Sequence, residues 1–142
     1  MVGQPVIPKG APPPLAPYSP GFKADNTVYT CGVLALDPNG KLIGEGDVAL
    51  QTRTVLNSIA NILKAAGATM QDVVMNQIYL SDLTHYAAMN KVYAEYFPKN
   101  PPARLCVGVA LVKPEFLVEI ASIAVISKKK KKAAPKRKAR RR

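Results

Sequence analysis

The chain has 142 residues, 48% of them hydrophobic, with 20 Lys/Arg against nine Asp/Glu and a formal net charge of +11. That length fits one domain, and the composition is that of an ordinary globular protein rather than a disordered chain or a disulfide-built scaffold. The longest apolar run, about Cys106–Val112, falls well short of the ~20 residues a membrane-spanning helix needs.

The positive charge is unevenly placed. All nine acidic residues lie in residues 1–127, where nine basic residues balance them. The remaining eleven Lys/Arg crowd into residues 128–142, which hold no acid. The expectation is therefore a neutral folded domain over 1–127 and a disordered polybasic tail over 128–142. Met1–Lys9 lack the charged-then-apolar pattern of a secretory signal, so folding in the cytoplasm is expected. Two cysteines far apart and a single histidine, His85, suit neither a disulfide framework nor a clustered metal site, and no cofactor is expected.

Seven prolines stand in the first twenty residues, so this segment should be extended and lie over the body. Thr27–Leu36 is strand-like, and Asp37-Pro-Asn-Gly40 is a turn leading into Lys41–Ile43, which together read as a hairpin. Asp47 is a suitable N-cap for a helix with apolar positions at Val48, Val55, Leu56, Ile59, Ile62, Leu63 and Ala66, stopped by Gly67. Val73–Leu80 reads as a strand. Ser81 or Asp82 then caps a second helix carrying Tyr86, Met89, Tyr93 and Phe97, ended by Pro98. Two further strands, about Arg104–Leu111 and Leu117–Ile126, are joined by a turn at Lys113-Pro114. The order β-β-α-β-α-β-β predicts an α+β fold, a mixed sheet with two helices on one face. Val28, Val33, Val107, Val109, Ile120 and Ile123 offer more apolar strand surface than two helices can cover, so self-association is expected.

Several motifs carry a resemblance. Ala16-Pro-Tyr-Ser-Pro-Gly21, Tyr29-Thr-Cys-Gly32, Tyr86-Ala-Ala-Met-Asn90, Pro102-Ala-Arg-Leu-Cys-Val107 and Val118-Glu-Ile-Ala-Ser-Ile-Ala124 follow one another in unbroken order. Over roughly residues 5–127 the chain resembles the Rid (reactive-intermediate deaminase) family. Pro14-Leu-Ala-Pro17, Gln51-Thr-Arg53, Tyr93-Ala-Glu-Tyr-Phe97 and Leu111-Val-Lys-Pro114 are most similar to its 3-aminoacrylate deaminases of pyrimidine catabolism. The resemblance implies a chorismate-mutase-like homotrimer with a central barrel and three clefts between subunits. It further implies that Arg104 holds a substrate carboxylate and Glu119 positions the hydrolytic water, with Tyr18, Cys31, Gly32, Asn90 and Cys106 lining the cleft. Cys31 departs from the serine that many relatives place beside the glycine, and a thiol is the weaker hydrogen-bond partner. Ala121 departs from imine-specific relatives that carry an acid there.

The residue chemistry agrees with that implication. A planar guanidinium can take the carboxylate of a 2-imino or 3-aminoacrylic acid through two hydrogen bonds and so fix its electrophilic carbon. A carboxylate can orient or deprotonate water and afterwards protonate the departing amine. If the last two strands form a hairpin about Pro114, Glu119 lies opposite residue 109, five residues or about 16 Å along the strand from Arg104. One cleft holding both would then draw them from different chains.

Other assignments stay open on the sequence alone. Arg104 by itself is compatible with a surface arginine, and Cys106 with a small buried hydrophobe. Tyr86, Tyr93 and Phe97 at helical spacing fit a core stripe, and His85 a solvated residue. The Arg104 cleft could serve a binding protein for small carboxylates. The basic tail could serve an RNA-associated factor, a role the resemblance also allows, through non-specific polyanion binding.

Overall fold

The computed structural model describes residues 2–128; the basic tail expected to be disordered lies, from residue 129 onward, outside them. The first strand, β1 (Gln4–Val6), is formed by the proline-rich segment, which is extended there and pairs with β2 (Gly21–Ala24). β2 turns back antiparallel onto β3 (Thr27–Thr30). This hairpin replaces the one expected further along the chain. The Asp37 turn does form, with the Asp37 carboxylate accepting from the backbone N–H groups of Asn39 and Lys41 at 2.8 and 2.9 Å. Its flanks make only a single bridge, Leu36–Leu42, because Val33 is drawn away to pair with Ile120.

Helix α1 (Val48–Ala65) starts where the Asp47 side chain accepts from the Leu50 N–H. It ends in a Schellman arrangement: Gly67 takes φ 82°, its N–H donates to Lys64, and the Ala68 N–H donates to Leu63. Between these ends Val55, Leu56, Ile59, Ile62 and Leu63 recur at three- and four-residue spacing and are buried against the sheet. β4 (Val73–Leu80) follows. A single 3-10 turn, Leu83–His85, stabilised by the Asp82 carboxylate accepting from Thr84, precedes α2 (Tyr86–Tyr96). The last strands are β5 (Ala103–Gly108) and β6 (Val118–Val125).

These strands form one six-stranded sheet in the order β1-β2-β3-β6-β4-β5. β5 runs parallel to β4, and β6 is antiparallel to both β4 and β3. The expected β5–β6 hairpin about Pro114 is therefore absent. β4 lies between them, since the α2 crossover carries the chain from β4 to a parallel neighbour, as a helical connection does. The expected class, α+β with two helices on one face of a mixed sheet, is what is observed.

Alternation along the strands separates the two faces of the sheet. Asn76, Ile78, Leu80, Val118, Ile120, Ser122 and Ala124 point to the helices and are buried. Gln77, Tyr79, Leu105, Val107, Glu119, Ala121, Ile123 and Tyr29 point to the other face, which no element among the described residues covers. Of the apolar strand residues expected there, Val28, Val33 and Ile120 instead belong to the core, while Val107 and Val109 stand exposed.

Candidate active site

The residues singled out in the sequence gather in two places. The first is where β3 leaves its ladder with β6. Pairing runs to Tyr29–Ile123 and resumes at Val33–Ile120, so Thr30, Cys31 and Gly32 bulge between them. Side-chain and loop partners replace the ladder here. The Thr30 hydroxyl accepts from the Ser122 N–H at 2.9 Å and donates to the Cys31 carbonyl, and the Cys31 N–H donates to the Pro20 carbonyl at 2.8 Å.

Gly32 sits directly against the Glu119 side chain. A Cβ at this position would meet the Glu119 carboxylate, approaching its Cδ at 2.9 Å and its Cγ at 3.2 Å. The absence of a side chain here, rather than any special backbone conformation, is what leaves the Glu119 carboxyl where it lies. Glu119 is half-buried and makes no side-chain hydrogen bond among the described residues, and burial raises its pKa above the ordinary carboxylate value. Burial, and secondarily the neighbouring Glu119 charge, pushes the Cys31 thiol up to about 11. Cys31 therefore stays protonated at neutral pH and can offer an S–H but not a thiolate. Tyr18, Cys31 and Gly32 line one cavity of about 400 Å3 that runs between the proline-rich strap, the Cys31–Leu34 segment and the Asn57–Asn61 side of α1.

The second place is the helix-covered side of β5. Arg104 and Cys106, two apart on the strand, share a face, and α2 lies above them. The Arg104 guanidinium donates to the Tyr86 hydroxyl at 2.9 Å and lies over two rings, 5.5 Å from the centroid of Tyr86 and 4.8 Å from that of Tyr93. Among the described residues no carboxylate neutralises it; the ion pair that does form is Arg53–Glu95, at 2.7 Å between the two helices. Asn90, one helical turn on from Tyr86, joins this half, and with Arg104 it holds the Tyr86 hydroxyl below its ordinary pKa. The Cys106 thiol is raised by burial, which the Arg104 charge partly opposes.

Tyr86 and Tyr93, expected as core, are therefore part of the Arg104 setting. Tyr86 is 44% exposed, while the Tyr93 ring is buried on one side and faces the guanidinium on the other. The signal was present in the spacing: 86, 90 and 93 fall on one face of a helix, so the Asn90 position already implied its two neighbours.

Arg104 and Glu119 do not meet in one chain. Arg104 pairs in register with Asn76 on β4 and Glu119 with Tyr79, three residues further along and two strands across. That places their Cα atoms about 14 Å apart, and strand alternation sends the side chains to opposite faces of the sheet. The separation inferred from the sequence thus persists, although the hairpin that motivated it does not form.

The molecule is a small single-sheet α+β protein with two separate side-chain clusters, a cationic one with aromatic walls and an acidic one backed by a glycine. Residues 8–126 match the family model described as Endoribonuclease L-PSP. The chain is 56% identical over 119 residues to the 3-aminoacrylate deaminase RutC of Acinetobacter baylyi, which covers 84% of this chain and 94% of that protein. RidA from the Antarctic bacterium Psychrobacter sp. PAMC 21119 superposes with a TM-score of 0.81 at 36% identity, over 87% of this chain and 99% of that one. Escherichia coli TdcF, solved with bound serine, superposes with a TM-score of 0.80 at 30% identity, over 87% and 99%. The chain belongs to the Endoribonuclease L-PSP family, the group its motifs resemble under the name Rid.

Proposed function

We propose that this protein is a deaminase that hydrolyses reactive enamine and imine acids, 3-aminoacrylate foremost, to the carbonyl acid and ammonia. The observation that carries this is the 56% identity to 3-aminoacrylate deaminase RutC, which extends over nearly the whole of that relative. The half-sites supply the roles. Arg104, held by a phenol and two rings with no carboxylate partner among the described residues, takes the substrate carboxylate, and Cys106 and Asn90 flank it. The enamine tautomerises to the imine, whose C=N carbon is electrophilic. Glu119 accepts a proton from water as the oxygen bonds to that carbon and passes it to the imine nitrogen, giving a carbinolamine. It then takes the carbinolamine hydroxyl proton and delivers it to the amine as the C–N bond breaks, so that the carbonyl forms and ammonia leaves. Tyr18, Cys31 and Gly32 wall the acidic side. TdcF, which holds serine, is a relative that accommodates a small amino-acid carboxylate.

Because Arg104 and Glu119 face opposite sides of one sheet, each active site is built from two chains. The uncovered sheet face, with Tyr29, Leu105 and Val107 at 45%, 36% and 44% exposure, is an apolar surface of the kind that closes by symmetry. A cyclic homotrimer with the sheets turned inward as a barrel covers it and brings the arginine half of one subunit to the glutamate half of the next. Residues 1–127 form this catalytic unit, which acts in the cytoplasm, and no helix among the described residues is long and apolar enough to cross a membrane. Residues 128–142, with eleven Lys/Arg and no acid, bind polyanions by charge. Its affinity should fall steeply and linearly on a log–log plot against salt, which a filter-binding titration with single-stranded and duplex nucleic acid checks.

The test of the activity is ammonia release from 3-aminoacrylate and from 2-iminobutanoate, each generated in situ. The parent should accelerate at least one, and Arg104→Ala should lower kcat/KM by on the order of 10²-fold, the loss of a charge-assisted bidentate contact. No acceleration over buffer by the parent would leave a small-carboxylate binding protein in its place.

A further inference from the structure

A buried polar chain lies directly behind the Arg104 half-site. Tyr93, whose ring carries the guanidinium, accepts a hydrogen bond at its hydroxyl from the Asn76 side-chain amide at 2.8 Å. The Asn76 carbonyl oxygen accepts from the Ser122 hydroxyl at 2.6 Å, and the Ser122 N–H donates to Thr30 at the β3 bulge. Asn76 and Ser122 are 0% and 1% exposed, set among Ile78, Ile120, Leu80 and Val118. A sheet-to-helix core at this point could be apolar throughout. Polar groups there cost stability unless every partner is present, and replacing a bonded pair by apolar side chains of equal shape is close to neutral. The trio therefore gives the fold little that leucine, alanine and phenylalanine would not. What it does provide is direction: one rotamer of Tyr93, tied through β4 to β6, under a cation that no carboxylate among the described residues holds.

We propose that Tyr93, fixed by Asn76 and Ser122, is a positioning residue for Arg104, and that this buried trio sets the preference of the site for a carboxylate over a neutral isostere. The proposal rests on the carboxylate-anchoring role given to Arg104 above. A guanidinium on a fixed ring presents its two N–H edges in one plane, which is the condition for bidentate capture of a carboxylate. With the ring free to tilt, the cation remains but the fork is misaligned, so carboxylates lose affinity while neutral ligands do not.

The experiment compares binding of acrylate and acrylamide, equal in shape and unequal in charge, by titration calorimetry on the full-length protein. This requires no turnover, so it is read independently of ammonia release. The combined variant Tyr93→Phe, Asn76→Leu, Ser122→Ala removes the three polar groups and keeps the ring. Its thermal midpoint should stay near that of the parent, its acrylate Kd should rise about tenfold, and its acrylamide Kd should not move. Ser122→Ala alone, the mildest change, should shift the same ratio in the same direction by less, and serves if the combined variant does not fold. Unaltered acrylate-to-acrylamide ratios in these variants, alongside a ratio collapsed by Arg104→Ala, would overturn the positioning role. A parent that does not distinguish the two ligands would remove it together with the anchoring role of Arg104. A parent that discriminates but releases no ammonia would end the deaminase assignment and leave the inference to be judged on the binding ratios.

Discussion

Glu119 carries the largest conflict between stability and chemistry at the level of single residues. Its carboxylate is half-buried beside Gly32 with no hydrogen-bond donor among the described residues, and burial raises its pKa. A raised pKa means the folded state holds the proton more tightly than the unfolded chain does. The ionised form therefore weakens the fold, and stability falls as pH rises from the ordinary glutamate value to the raised one. Above that window the cost is constant. The base role proposed for Glu119 needs the ionised form, so kcat/KM should fall with decreasing pH through a midpoint above the ordinary ~4.3 of a free glutamate. Glu119→Gln should lower kcat by on the order of 10²–10⁴-fold, the usual share of a general base, and should raise the thermal midpoint at neutral pH. A pH–rate profile and a melting curve on the same preparation check both. A variant that loses Tm along with activity would mean that the carboxylate supports the fold instead. Cys31 has no such double role, since a thiol held near 11 neither ionises nor attacks at neutral pH.

At the level of elements, the placement of Glu119 depends on a residue of α1 that never approaches it. Gln51 is fully buried, and its amide nitrogen donates to the carbonyls of Gly44 and Glu115 at 3.0 Å each. Its side-chain oxygen accepts from the Leu117 N–H at 2.9 Å. One side chain thus ties the loop before α1 to the loop that starts β6, and fixes where the β6 register begins, two residues before Glu119. Gln51→Ala would leave those backbone groups buried and unsatisfied. It should cost about 2–4 kcal/mol of unfolding free energy, measured by urea denaturation, well above the effect of the neighbouring exposed Leu50→Ala. The Schellman end of α1 and the Lys23 ammonium donating to the Ala66 carbonyl at 2.9 Å secure the other end of the helix against β2. Elements that look independent in sequence are joined by a few buried polar side chains.

For the whole molecule, opposite-face placement of Arg104 and Glu119 means that the roles proposed for them make assembly a condition for catalysis. Arg104→Ala and Glu119→Gln, each strongly impaired alone, should complement one another when unfolded together and refolded as mixed oligomers. Random pairing gives an intact arginine half facing an intact glutamate half at about one site in four, so about a quarter of parental activity should return. Mixed oligomers that remain inactive would place both residues of a site in one chain and contradict the register of the sheet. Sedimentation velocity on the same samples reports the subunit number.

The sequence by itself determined α1 nearly to the residue. Asp47, the three- and four-residue apolar spacing and Gly67 are local signals, and capping and amphipathicity are local physics. It also determined the extents of β4 and β6, the two-helix α+β class and, through short motifs, the family. Each of the two clusters was legible as a set of residue types, down to Arg104 with Cys106 and Gly32 with Glu119. Strand order was not. A short linker around Pro114 suggested a hairpin, and only tertiary pairing placed β4 between β5 and β6, because a parallel neighbour reached through α2 buries Ile78 and Leu80 under both helices. The aromatic setting of Arg104 was likewise decided by three-dimensional contact, since Tyr86 and Tyr93 at helical spacing look the same whether they fill a core or carry a cation. The sequence chose the chemical groups; the sheet decided which face each group meets, because side-chain direction in a strand depends on register and register is fixed only by the partners.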